Sequence, residues 1–217
     1  MLWFYLALFA ALCESLKELF SKKGLAYVKP QVAAWAANVL SFPLLLGIFV
    51  LTEDIPSLGE GFAIALLCGG TLNILALIQF MRALQASDLS VTIPFITLTP
   101  VFLLVTSPLF FGEFPKPLEL AGIFSYCIWR LYDPYPRNGP WVPGPFAAIL
   151  NQKGPRRMLS VAMIYSITSK IDKVGVLNSS PFFWSLSINA FMVIGLLFFV
   201  WGKVNRPSNS YKPPMFS

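Results

Sequence analysis

The sequence predicts an all-α membrane protein of about seven transmembrane helices, in which the first two helices recur, inverted, as the last two. Three observations predict it. The 217 residues are 56% hydrophobic and only 12% charged, against about 25% charged in a soluble globular domain. The apolar residues gather into seven runs, most of membrane length, parted by polar or Pro/Gly-rich stretches. Sliding the chain by 151 residues lays the first two runs on the last two without a gap.

Composition also excludes functions. There is no histidine, the commonest metal ligand and general base. Cys13, Cys68 and Cys127 fall in separate apolar segments with no CxxC pair, so neither a zinc site nor a disulfide framework is expected. No GxxxxGK[ST] loop is present, so nothing suggests nucleotide hydrolysis. A membrane-embedded enzyme needs a nucleophile and base, or a metal, clustered at one membrane face. The expectation is therefore no enzyme, no cofactor and no metal. The net charge of +6 sits in loops and tail. It reads as a topology signal or anionic-lipid contact, not as nucleic-acid binding.

Segment one runs from Leu2 to about Phe20. Its basic residues follow the apolar run, the reverse of a secretory signal peptide, so a retained transmembrane helix is predicted. Glu14, Lys17, Glu18 and Ser21 share one face of it. Segment two, Val32 to Leu51, contains Asn38, Ser41 and Pro43, and an acidic loop follows. Segment three, Phe62 to about Leu84, holds Gly69, Gly70, Asn73 and Gln79, with Arg82 at its end. The glycine pair permits close approach of a neighbouring backbone.

Segment four is a membrane-length helix from Leu89 to Phe111, led in by Ser87-Asp88 and stopped by Gly112-Glu113. It carries Pro94, Pro100 and Pro108. A proline inside a helix costs about 3 kcal/mol in water. In a membrane it is tolerated where hydroxyls or neighbouring helices satisfy the freed carbonyl. Thr97, Thr99, Thr106 and Ser107 are placed to do so. Such a broken helix suits a substrate path, or is simply a kinked structural helix.

Segment five, Leu118 to Leu131, has fourteen residues. That is short for a ~30 Å core, so it borrows flanking residues, with Arg130 as a snorkelling anchor. Asp133 to Pro145 is Pro/Gly-rich, and Tyr135 and Trp141 suit an interfacial linker. Phe146 to Leu150 reads as a short surface helix before Lys153, Arg156 and Arg157. Segment six, Met158 to about Val176, carries Ser166, Thr168, Ser169, Lys170, Asp172 and Lys173 in its second half. Segment seven, Phe182 to Trp201, has Asn189 near its middle. The tail from Gly202 has three prolines and is expected to be disordered.

Under the 151-residue shift, nine residues between positions 8 and 50 are identical to their mates. Leucines and alanines mean little in so apolar a chain. Lys22/Lys173, Gly24/Gly175, Pro30/Pro181 and Asn38/Asn189 carry the match. Five helices separate the copies, an odd number. They therefore cross the bilayer in opposite directions, as inverted repeats do.

Ala83-Leu84, Ser87-Asp88, Ser90, Pro94, Leu98-Thr99-Pro100-Val101-Phe102, Gly112-Glu113 and Pro115 together resemble the EamA-like family of the drug/metabolite transporter superfamily. Gly154 to Leu159 and Ser169-x-x-Asp172-Lys173-x-Gly175 resemble the opening of that family's second repeat. The resemblance implies ten helices in two inverted five-helix repeats around a central cavity. This sequence holds a five-helix repeat plus the first two helices of a second. The implied division is 1–133 for the first repeat, 134–157 for the linker, 158–202 for the partial second repeat and 203–217 for the tail. Missing C-terminal helices, or a homodimer, would then complete the cavity.

The substrate-path candidates are Glu14, Lys17, Asn38, Asn73, Gln79, Pro94, Thr97, Pro100, Ser166 and Asn189. An ionisable group at a helix centre costs about 2.5–3.5 kcal/mol on insertion scales. Glu14, the deepest such group, either faces the cavity with Lys17 and carries substrate charge or a proton, or forms a self-paired, snorkelling helix end. Asn38, Asn189, Asn73 and Gln79 either bind substrate or join helices.

The expected function is a secondary carrier or exporter of a small polar metabolite. The alternative is a truncated, non-transporting fragment or membrane scaffold. The expected partners are a small-molecule substrate and the lipid bilayer, in the plasma (cell inner) membrane. Thirteen Lys and Arg fall on one side of a seven-helix topology and three on the other. The positive-inside rule then puts the N-terminus outside, whereas the family resemblance implies a cytoplasmic one.

Overall fold

The computed structural model describes residues 2–25, 27–87, 92–112, 120–123, 125 and 153–204. Its helices are α1 (Leu2–Gly24), α2 (Pro30–Thr52), α3 (Phe62–Ala86), α4 (Thr99–Phe111), α5 (Lys153–Leu177) and α6 (Pro181–Val204). A 3-10 segment, Ile93–Leu98, runs straight into α4. No strand occurs among the described residues. Of the predicted fifth span, only residues 120–123 and 125 are described, and they are helical. The rest of that span, the linker up to residue 152 and the tail from residue 205 lie outside the described residues.

The protein is an all-α membrane protein. Pro30–Thr52, Phe62–Ala86 and Pro181–Trp201 are long and apolar enough to cross a bilayer, and Thr99–Leu109 is a shorter apolar helix. The helices α1 and α5 have 23 and 25 residues, a spanning length, but charges interrupt their apolar surface.

Two starts show local chemistry setting a boundary. Pro30 and Pro181 open α2 and α6, where a missing N–H costs nothing and the ring pre-sets the backbone. Lys29 before Pro30 is extended, with φ −66° and ψ 145°, as a residue ahead of proline prefers. Ser180 Oγ accepts the Phe183 N–H at 3.2 Å and so caps α6. Helix α5 begins at Lys153, five residues before the predicted start at Met158.

Segment four is broken at its prolines, as the sequence suggests. From Thr92 to Phe111 the chain is helical throughout, but Ile93–Leu98 is a 3-10 stretch between α-helical Thr92 and α4. The 3-10 segment has a proline in its first turn, and so does α4. Pro100 deprives Ile96 O of its α-helical donor. That oxygen instead accepts the Thr99 N–H and, at 2.5 Å, Thr99 Oγ1. Pro108 does lie inside α4. The stop is as predicted: Gly112 is left-handed at φ 64°, and its N–H bonds Pro108 O at 3.0 Å, a conformation that favours glycine.

The central helix is α3, which packs against α5, α6 and α2. Side chains, not a neighbouring backbone, fill the space over the glycine pair: a methyl on Gly70 would overlap the Phe191 ring, and Gly69 lies against Ile171. The core gathers Ala34, Ile74, Ile78, Met81, Leu84, Met158 and Leu196. A second cluster joins Phe62, Ala65 and Trp184.

Contacts between helices fix their directions. Along α3 and α5, Gly69 meets Asp172 and Arg82 meets Arg157, so one number falls as the other rises. These two helices are antiparallel. Along α2 and α6, Asn38 meets Asn189, Phe49 meets Phe183 and Glu53 meets Ser180. They are antiparallel too. Along α3 and α6, Phe62 meets Trp184 and Ile74 meets Gly195, so this pair is parallel.

The C-terminal end of α1 docks on the C-terminal end of α3. Lys22 Nζ donates to Leu84 O and, at 2.6 Å, to Ser87 O. Elsewhere Phe4, Tyr5, Leu8, Phe9, Leu12 and Leu16 on α1 are more than half exposed.

Candidate functional site

A polar cluster between two helices is built by α2 and α6. Asn38 and Asn189 each lie eight residues into their helix, about 12 Å along it. Asn189 Nδ2 donates to Asn38 Oδ1 at 3.3 Å and to Ser41 Oγ at 3.0 Å. Asn38 Nδ2 turns back to Ala34 O of its own helix at 2.9 Å. The cluster is therefore lopsided: Asn189 donates across the interface and Asn38 receives.

Asn189 is 8% exposed, and its Oδ1 is buried without a hydrogen-bond partner among the described residues. The Trp35 indole N–H, one helical turn from Asn38, is also buried and unpartnered. Leaving such a group unmade costs about 1–3 kcal/mol. An acceptor and a donor are thus held ready in the same helix pair.

Asn38→Ala and Asn189→Ala are expected to be non-additive, with a coupling of about 0.6–1.7 kcal/mol. Denaturation of the four proteins of the cycle in detergent measures it. Losses that simply add, within about 0.3 kcal/mol, would show that the amides do not act together.

The remaining candidates are scattered. Glu14 and Lys17 form an ion pair on α1 with side chains 59% and 55% exposed, so they face outward from the described bundle. Ser166 is fully buried in α5, and its hydroxyl bonds Met163 O at 2.7 Å. Its repeat mate Ser15 bonds Ala11 O at 3.0 Å in the same intrahelical way. Asn73 and Gln79 are half-buried on α3, and Thr97 is half-buried in the 3-10 segment. Pro94 and Pro100 occupy first turns, and both pieces of segment four pack against α5.

Sequence reasoning passed over Ser41, the second acceptor of Asn189. Its place three residues after Asn38, on the same helix face, was the signal. It also gave no role to Asp172, whose Oδ1 accepts the Trp184 indole N–H at 3.2 Å.

The EamA-like transporter family model matches residues 1–128, which take in α1 to α4. This chain belongs to the EamA-like transporter family. No curated protein and no solved structure matches it. As an EamA-like protein it is an integral membrane protein of a family of transporters rather than enzymes. Helices α5 and α6 lie beyond the matched residues. The 151-residue shift carries Pro30, the first residue of α2, to Pro181, the first residue of α6.

Proposed function

We propose that this EamA-like chain is a secondary carrier or exporter of a small polar metabolite, working by alternating access between inverted repeats. Residues 1–133 would be the first repeat and 158–202 the start of the second, with the cell inner membrane as its site. One observation carries the reading: Asn38 touches Asn189, its own mate under the 151-residue shift. A two-fold axis brings a residue against its own mate only on the axis. The antiparallel course of α2 and α6 supports an axis in the membrane plane, where carriers built from inverted repeats hold substrate.

The unpartnered Asn189 Oδ1 and Trp35 N–H support a substrate with both donor and acceptor groups. The outward Glu14–Lys17 pair supports a further helix against α1, from a second copy or another segment. Two charges left facing hydrocarbon are costly. With that helix in place, Glu14 would carry substrate charge or a coupling proton.

Reconstituted vesicles loaded with a panel of small polar metabolites test this. Glu14→Gln is expected to slow flux at least about tenfold, the loss of one ~1.4 kcal/mol interaction, and to flatten its pH dependence. A wild-type rate and pH profile in that variant would remove Glu14 from the mechanism. No flux by the native chain would leave a non-transporting membrane scaffold.

A further inference from the structure

The basic residues that the sequence scatters over several loops converge at one end of the bundle. Lys22 bonds the end of α3, and Arg157 Nη1 donates to Arg82 O at 3.2 Å in the last turns of α3. Lys153, Arg156, Arg157 and Ser160 line a surface cavity of about 270 Å³ there. Among the described residues three cations and a hydroxyl line it, and no carboxylate. Lys153, Arg156 and Ser160 are exposed, whereas Arg157 is half-buried and held by its bond to α3. Arg82 lies four residues before the end of the candidate span Phe62–Ala86, about 6 Å inside it. With Phe62–Ala86 as a span, the cavity would lie near the membrane–water boundary.

We infer that this cavity binds a phosphate-bearing anion, supplied by an anionic lipid headgroup or by soluble phosphate. Arg forks match phosphate oxygens two at a time, and Lys adds a point charge. Arg157, already held in place, gives up little freedom on binding. Arg156 and Lys153 are free to close over the ligand. Such an occupant would tie the start of α5 to the lipid surface and so set the depth of the second pair of helices. This inference does not depend on the transport reading.

The full chain, purified in detergent, is titrated with phosphatidylglycerol, with phosphatidylcholine and with inorganic phosphate, and bound ligand is read by native mass spectrometry. Saturable retention of phosphatidylglycerol over phosphatidylcholine is the expected result. Each exposed cation at a membrane surface contributes about fivefold, so Lys153→Gln with Arg156→Gln should weaken binding ~30-fold. Arg156→Lys, which keeps the charge, checks that folding is intact and should lose far less. Lys29→Gln removes one charge from the same end but outside the lining, and should stay within about twofold, since salt screens it beyond ~10 Å.

Saturable inorganic phosphate binding, lost in the same double variant, would support the site with a soluble ligand as its source. No saturable binding of either probe would overturn the inference. So would an equal loss in Lys29→Gln, which would mean a diffuse field and no site.

Discussion

Gly175→Leu is expected to destabilise the protein by about 3 kcal/mol or more, while Gly24→Leu at the repeat-related position stays within about 1 kcal/mol. A side chain on Gly175 would start inside the Trp184 ring, whereas one on Gly24 meets nothing within 4 Å. The ring has nowhere to go. Trp184 is 4% exposed, its indole N–H is held by Asp172 at 3.2 Å, and Phe62 stands edge-on to it with centroids 5.7 Å apart. Overpacking against so confined a group forces backbone shifts. Thermal midpoints and size-exclusion profiles of the two variants in detergent decide the matter. Equal losses would mean that the Gly175–Trp184 packing is not what the fold depends on.

The second large effect is an all-or-none labelling pattern. Lys22, Lys29, Arg82, Lys153 and Arg157 gather where α1 and α3 end and α2 and α5 begin. Glu53, Asp54 and Glu60 belong to the other end, where Gly59 N–H bonds Asn178 O at 2.9 Å and Glu53 accepts the Ser180 hydroxyl. Retention of Lys and Arg in the cytoplasm puts the first end inside. In a background with Cys13, Cys68 and Cys127 replaced by serine, a membrane-impermeant maleimide on intact cells is expected to label Ser57→Cys and spare Tyr27→Cys. Both positions are exposed in the folded protein, so burial does not explain a silent site. Labelling of Tyr27→Cys alone would turn the protein over and restore the cytoplasmic N-terminus typical of EamA-like transporters.

Much of this was legible in the residues. Gly112 announced a helix end and Gly69-Gly70 a close contact, whereas α2 and α6 start at Pro30 and Pro181, ahead of the Val32 and Phe182 that the apolar runs suggest. The first two are local effects of backbone geometry or side-chain size, so neighbours in sequence suffice to read them. The recurrence at 151 residues was equally readable, because Lys and Asn are scarce in lipid-soluble segments and both recur in register. The break in segment four was legible too, from Pro94 and Pro100, but not its form. Two prolines six residues apart yield a 3-10 stretch running into a shorter α-helix, with Thr99 on the freed Ile96 carbonyl.

The chain's own residues told that it lives in a bilayer, roughly where its helices lie, and that nine residues recur 151 positions on. Which faces meet had to come from the packed molecule. Asn38 finding Asn189, Gly175 cradling Trp184 while Gly24 lies open, and the outward turn of Glu14 and Lys17 are choices among neighbours far away in sequence. The reason lies in the solvent. Lipid tails are as apolar as leucine, so hydrophobicity does not separate the surface turned to a partner helix from the surface turned to the membrane. Only complementary shapes and a few polar contacts make that distinction.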